Sequence, residues 1–337
     1  MHIEGLFLKN FRNYEALQVN FIKGFNIIYG NNAQGKTNIL EAIYLCSTGR
    51  SHRTSKDAEL IKNGKEKYIV NVKFTRNEIT GKCIEINYDR INKKKIKINE
   101  NPIKKIGDLM GQINSIMFSP EDLQIIKEGP SERRRFIDIA LCQLKPSYFF
   151  NLQQYIRILN QRNTLLKEIS LKRMNSSTLD VWNQSLIEIG SKIIKSRIEF
   201  INILSEKANI NHKKITNNEE MLEIKYVPSI DLNNFNIGVE EIKKTFTNQL
   251  KVVLAKEIQK ATTIIGPQRD DIEIRLNKES IKLYGSQGQQ RTAVLSLKLS
   301  ELEIVKDDTG EFPILLLDDV MSELDMNRRE YLVENIK

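Results

Sequence analysis

One short stretch near the start of the chain, Gly30-Asn31-Asn32-Ala33-Gln34-Gly35-Lys36-Thr37-Asn38, has the residue types and spacing to hold a polyphosphate. It fits G-x-x-x-x-G-K-[ST], and each position has a physical reason. Gly30 and Gly35 admit positive φ, so successive backbone N–H groups turn inward around an anion. A helix starting at Lys36 adds unsatisfied N–H donors and a partial positive charge. Lys36 reaches β and γ phosphates as a point charge, and the Thr37 hydroxyl is a ligand for Mg²⁺. Asn31, Asn32, Ala33, Gln34 and Asn38 complete the cofactor-binding loop.

Two acids far along the chain, Asp318 and Asp319, follow the aliphatic run Ile314–Leu317. Alone they read as the polar end of a strand. Beside a phosphate loop they are the two carboxylates that nucleoside triphosphate hydrolysis needs. Asp318 holds the metal, directly or through water, and Asp319 orients or activates the attacking water. A third fragment, Tyr284-Gly285-Ser286-Gln287-Gly288-Gln289-Gln290-Arg291, opens a helix. Ser286 with Gln289 three residues on is a capping box. It reads either as a well-capped core helix or as a second helix N-terminus offered to a phosphate, with Gly288 allowing close approach.

The elements that must position these residues follow from periodicity. Strands are expected over His2–Lys9, Leu17–Phe21, Tyr68–Arg76, Cys83–Tyr88, Ile96–Ile98 and Asn114–Phe118. Phe25–Tyr29 is an apolar run ending at Gly30 and reads as the buried strand that feeds the phosphate loop, with a buried helix from Ile39 to Cys46. From about Asp122 to Lys260 the pattern is helical, with a break at Lys172–Ser177, a polar connection over Asn209–Glu220 and a short strand at Leu222–Tyr226. Strand character returns at Ile272–Leu276, a helix runs from Ser286 to about Val305, Ile314–Leu317 is a strand, and a last helix begins near Asp325. The fold class is therefore α/β, a body in two sequence segments, 1–121 and 263–337, with a mainly helical domain at 122–262 inserted between them.

Of 337 residues, 40% are hydrophobic and 28% charged, which indicates a globular chain rather than a disordered one. No apolar run approaches ~18 residues, so no membrane span is expected. The N-terminus carries no signal-peptide pattern, and a cytoplasmic setting is the expectation. Cys46, Cys83 and Cys142 stand apart with no CxxC pair, and the three histidines are scattered, so neither a zinc site nor a histidine-centred triad is expected. Lys plus Arg exceed Asp plus Glu by 52 to 43, a net charge of +9 that suits a polyanionic partner or simply a lysine-rich surface. The basic clusters are Lys93-Lys94-Lys95 with Lys97, Lys104-Lys105, and Arg133-Arg134-Arg135. In the last, Phe136 and Ile137 suggest that one arginine turns inward to an acid. No recognition helix stands out, so nucleic acid would be read by backbone and shape.

Taken in order, the phosphate loop, Ser286-Gln287-Gly288-Gln289, the aliphatic-Asp-Asp run and Ser322-Glu323-Leu324-Asp325 resemble the Walker A, signature, Walker B and D-loop of ABC-type ATPase heads. More narrowly, the chain resembles the RecF family of bacterial recombinational repair proteins. The fragments that carry this are Lys9–Tyr14, Thr48–Arg53, Phe118–Asp122, Gly129–Arg135 and Gly266–Asp271, spread over almost the whole chain.

The resemblance implies an ABC-type P-loop ATPase head with a Rad50-like second lobe and an inserted mainly helical domain. It implies ATP sandwiched with Mg²⁺ between two subunits, with Ser286, Gly288 and Gln289 acting in trans and Ser322–Asp325 crossing the dimer interface. Arg12 and Ser51–Arg53 would lie near the nucleotide. It also implies an ATP-dependent homodimer on single-stranded or duplex DNA, at junctions or ends. The family works with RecR and RecO in recombinase loading at gapped DNA and in the SOS response to DNA damage. An ATP-gated clamp with incidental hydrolysis is the alternative. A transporter subunit fits poorly, because about 250 residues separate Lys36 from Ser286. Three features depart from the family pattern. Phe118–Asp122 offers no Q-loop glutamine, and Gln268 stands where a histidine is expected. The switch residue has no candidate, since the sequence stops at Lys337 in an expected helix, as a truncated chain would.

Overall fold

The computed structural model describes residues 1–320 and 326–336 and divides into two compact units, Met1–Asp122 with Glu301–Lys337, and Leu123–Ser300. The first unit holds a six-stranded antiparallel sheet in the order β2-β1-β3-β4-β5-β6. Its strands are β1 (His2–Phe11), β2 (Tyr14–Asn20), β3 (Lys67–Arg76), β4 (Ile79–Asp89), β5 (Lys93–Ile98) and the two-residue β6 (Asn101–Pro102). Alternation sets the register: Leu6 and Leu8 of β1 oppose Val72 and Val70 of β3, and all four are buried.

A separate parallel pair joins β7 (Ser115–Phe118) to β11 (Ile314–Leu317), with Ile314 opposite Ser115 and Leu317 opposite Phe118. Parallel strands buried on both faces read as unbroken apolar runs, as Ile314–Leu317 does. Helix α1 (Lys36–Thr48) packs on both β3–β4 and the parallel pair. That explains why eight of its residues are buried, from Ile39 to Ser47. Ser47 and Ser115 share a 2.5 Å hydroxyl–hydroxyl bond between helix and strand. Gly49 ends the helix in the left-handed region, φ 71°, its N–H on the Leu45 carbonyl.

One expected element is absent. Phe25–Tyr29 forms no ladder with any described strand, and Phe25, Ile27 and Tyr29 are exposed. The cause is local. Gly24 turns the chain at φ 97°, and the Asn26 side chain accepts from the Ile22 N–H (3.0 Å) and donates to the Ile22 carbonyl (2.8 Å). This asparagine turn ties up the Ile22 backbone groups at the entry to the run.

The second unit is mainly helical. It comprises α2 (Gln124–Lys127), α3 (Pro130–Leu144), α4 (Pro146–Ser170), α5 (Asp180–Ile215), α6 (Val239–Lys260), α7 (Ile281–Tyr284) and the first part of α8 (Gln287–Thr309). A three-stranded sheet, in the order β10-β9-β8, joins β8 (Leu222–Val227), β9 (Asp271–Leu276) and β10 (Glu279–Ser280). The break expected at Lys172–Ser177 lies between α4 and α5. The stretch from Asn209 continues α5 to Ile215, because Asn211 and His212 are buried on its inner face. The last described element is α9 (Met326–Ile336). No described helix is long and apolar enough to cross a membrane.

Candidate nucleotide site

The site in the first unit is assembled by backbone geometry. Gly30, Ala33 and Gly35 take positive φ (147°, 64° and 99°), which curls the loop before α1. Gly35 caps α1 with no side-chain acceptor, and the first turn carries no acidic residue. No acid of the helix itself therefore competes for the N-terminal N–H groups and their partial positive charge. Glycine at 35 is also a steric requirement: a Cβ there would stand 2.6 Å from Asn13 Oδ1 and 2.9 Å from Tyr14 Cε2. Asn13 explains the closeness, since its Nδ2 donates to the Gln34 carbonyl (3.0 Å) and its Oδ1 accepts from Asn38 Nδ2 (2.8 Å). The Lys36 ammonium donates to the Gly30 and Asn31 carbonyls, at 2.7 and 2.9 Å, and so closes the loop on itself. Those bonds use two of its three donors.

The acids arrive on β11. Its last ladder step continues as a bond from the Asp318 N–H to the Phe118 carbonyl, 2.9 Å, so Asp318 stands just past the strand's carboxyl end. There the Thr37 hydroxyl donates to Asp318 Oδ1 at 2.9 Å, across 281 residues of sequence. Ligands in open α/β sheets bind at this edge. Asp319 follows, exposed, with φ 52°. Ser322–Asp325 lie outside the described residues.

Arg12 and Ser51–Arg53 converge on a residue the sequence reading passed over, Glu41. It is fully buried in α1, and Arg12 donates to both its oxygens, at 2.8 and 2.6 Å. Ser51 Oγ adds a bond of 2.5 Å, and Arg53 Nη1 lies 3.6 Å away while donating to Asn38 Oδ1 at 3.1 Å. The available signal was an acid inside the apolar run Ile39–Cys46: a buried charge must be paired. Burial alone would raise the Glu41 pKa. The bonds from Arg12 and Ser51 and the charges of Arg12 and Arg53 outweigh it and hold the carboxyl below its ordinary value.

A depressed carboxyl contributes stability that is complete above its unfolded value and is lost as pH falls through the folded one. Glu41→Gln is therefore expected to lower stability by about 3 kcal/mol at neutral pH, the scale for breaking a buried pair. The deficit should shrink as pH falls below the ordinary carboxylate range. Urea titrations of both proteins at pH 7 and pH 3.5 read this out, and a deficit independent of pH would contradict it.

In the second unit, Ser286 and Gln289 form the reciprocal cap. The Ser286 N–H donates to Gln289 Oε1 (2.8 Å), and the Gln289 N–H donates to Ser286 Oγ (3.2 Å). Ser286 is exposed, and Gly288 carries no close neighbour that a Cβ would meet. Gln268 accepts from the Tyr155 hydroxyl and donates to the Ile265 carbonyl at 2.9 Å.

The basic clusters are partly committed elsewhere. Arg133 makes a two-pronged bond to Asp271 (2.7 and 2.9 Å), the inward turn expected of that run, and Arg134 donates to the Asp270 carbonyl. Lys94 pairs with Asp57 and Lys97 with Glu85. Cys46 is buried and its thiol pushed far up by desolvation, so it is inert.

A glycine loop closed by its own lysine, with its threonine on the acid that ends a parallel strand, defines a P-loop nucleotide-binding head of the ABC type. Residues 2–337 match the RecF/RecN/SMC N terminal domain family. The DNA replication and repair protein RecF of Acetivibrio thermocellus is 55% identical over 100% of this chain and 91% of its own length. That of Ruminiclostridium cellulolyticum is 51% identical over 100% and 90%. The solved structure of the recombination mediator protein RecF with ATP, in the RecFOR pathway, superposes with a TM-score of 0.94 at 41% identity, covering 99% of this chain and 89% of that one. The chain belongs to the RecF/RecN/SMC N terminal domain family, on its RecF branch.

Proposed function

We propose that the chain is an ATP-dependent, dimerising DNA-binding ATPase of DNA replication and repair. The observation that carries this is the Thr37–Asp318 bond, which joins the two halves of a triphosphate site from opposite ends of the sequence. In this reading the N–H groups from Gly30 to Asn38 cradle the phosphates, and Lys36 exchanges its loop carbonyls for phosphate oxygens. Thr37 and Asp318 hold Mg²⁺, which when bound neutralises charge on the β and γ phosphates. Asp319 positions the water. Arg12, through Glu41, keeps the flank of α1 rigid beside the nucleotide.

Ser286, Gly288 and Gln289 engage the triphosphate of a second copy, so ATP is the adhesive of a homodimer. The functional head comprises 1–121 and 263–337, and 122–262 is the inserted domain. The dimer holds single-stranded or duplex DNA by its backbone, and works with RecR and RecO to load recombinase at gaps. The RecF–ATP structure at 41% identity supports the nucleotide, and its place in the RecFOR pathway supports the partners. A cytoplasmic location goes with that role.

Sedimentation velocity of Ser286→Arg, with and without ATP and Mg²⁺, tests the trans arrangement. A guanidinium with its longer stem fills the space over an exposed cap, and every residue of the P-loop is unchanged. Monomer ATP affinity should be unchanged, and the dimer dissociation constant should rise at least ~100-fold, the scale of losing a central interface contact. Dimers of parental strength would remove the trans assignment.

A further inference from the structure

His212 and Ser296, both fully buried, meet with Nδ1 3.1 Å from the serine hydroxyl. On its other side His212 Nε2 lies 3.0 Å from Glu220 Oε2. Serine, histidine and acid in a row suggest nucleophilic chemistry, but Ser296 and His212 are shut off from any substrate. Ser296 Oγ also lies 2.8 Å from the Thr292 carbonyl inside its own helix. What the row does reach is the signature turn: Glu220 Oε1 accepts from Gln289 Nε2 at 2.7 Å.

The chemistry of these groups makes the row directional. An ionised carboxylate only accepts, so the Gln289 amide must turn its NH₂ to Glu220 and its oxygen away. That oxygen is the one receiving the Ser286 N–H. Glu220 therefore selects the single amide orientation in which the Ser286–Gln289 cap closes. His212 must likewise present Nε2–H to the carboxylate. Ser296 and Gln289 are seven residues apart on α8, about two turns, so the row grips one face of the helix at two levels. Glu220 itself is fixed by its neighbour. The Met221 N–H donates to Asn277 Oδ1 (2.8 Å), and the Asn277 N–H donates to the Met221 carbonyl (2.9 Å). His212 comes from the last turn of α5 and Glu220 from just before β8. Two stretches distant in sequence, the end of α5 with Glu220 and the first turns of α8, thus meet at one glutamine.

We propose that Glu220, backed by His212 and Ser296, is the positioning residue of the signature turn, holding Gln289 so that Ser286 is presented in one geometry to a second copy's triphosphate. This rests on the trans reading above. The test is ATP-dependent dimerisation by sedimentation velocity, with monomer affinity for a fluorescent ATP analogue measured at low protein concentration. Glu220→Ala should weaken the dimer at least ~10-fold, leave monomer nucleotide affinity and the melting midpoint close to the parent's, and show little further loss when combined with Gln289→Ala. Glu220→Gln should recover most of the dimer, because its amide oxygen still accepts from Gln289 while its NH₂ meets His212 in the other tautomer. Parental dimerisation of Glu220→Ala, additive losses in the double variant, or a Glu220→Gln as weak as the alanine would each overturn the inference alone. A parent chain that stays monomeric with ATP would overturn the trans reading and this inference with it.

Discussion

Asp319→Asn is expected to bind ATP and dimerise like the parent while turning over about 10²–10⁴-fold more slowly, the range that a positioned general base contributes. The substitution is clean for a backbone reason. Asp319 sits at φ 52°, in the left-handed region that aspartate and asparagine tolerate better than other side chains. Alanine there would mix backbone strain with the loss of the carboxylate, whereas asparagine keeps the turn and removes only the basicity. Asp318, one residue earlier, stays on the Thr37 hydroxyl. If hydrolysis drives release from DNA, the variant should accumulate on duplex DNA with ATP and dissociate far more slowly, as fluorescence anisotropy after a competitor chase would read. Equal dissociation rates for variant and parent would favour the ATP-gated clamp, in which turnover is incidental. Unchanged turnover would take Asp319 out of the base role altogether.

What the sequence disclosed, and what it hid, follows from how local each feature is. The phosphate loop was legible because its chemistry lies in contiguous backbone, and glycine spacing reports backbone directly. The acids were legible because a parallel strand buried on both faces leaves an unbroken apolar run, and its polar end stands out. The capping box was legible because it closes within one turn.

One failure is local and the others are tertiary. Phe25–Tyr29 has the composition of a strand, and composition says nothing about whether a partner edge is in reach. The Gly24 turn and the Asn26 loop bonds decide it. Glu41 is hidden inside an apolar helix, while its partners Arg12, Ser51 and Arg53 lie outside it. A buried acid demands a partner, and Arg12, 29 residues away, supplies it. His212 stands far from the other histidines in sequence, and its partners are Ser296, 84 residues on, and Glu220, at the end of the polar stretch Asn209–Glu220. No local pattern encodes such a meeting.

The largest stability effect should come from Glu257→Ala, which is expected to cost about 3–5 kcal/mol, the penalty for stranding a buried charge. Glu257 and Arg162 are both fully buried and 2.6 Å apart. The guanidinium is otherwise held by Asn183 Oδ1 (2.8 Å) and Thr263 Oγ1 (2.7 Å), and the second Glu257 oxygen accepts from the Ile264 N–H (2.9 Å). The cluster ties α4, α5 and α6 to the turn that leads into Gly266–Asp271. Removing the carboxylate leaves the buried guanidinium without its counter-charge, held by two neutral acceptors alone, and leaves the Ile264 N–H without an acceptor. Against a total of about 5–15 kcal/mol for a typical domain, that is a large share. For a unit of this size the melting midpoint should fall by roughly 6–20 °C.

The sign of a second substitution separates charge from packing. Adding Arg162→Met to Glu257→Ala removes the stranded cation and supplies apolar contact, so the double variant should melt above the single one. If loss of volume were the cause, the double variant would melt below it, and circular dichroism melts of the two proteins decide between them. That outcome bears on function as well as stability. This cluster anchors the segment from which β9 and the helix capped by Ser286 follow, so a second unit whose charges are balanced here holds the Ser286–Gln289 turn on a rigid base.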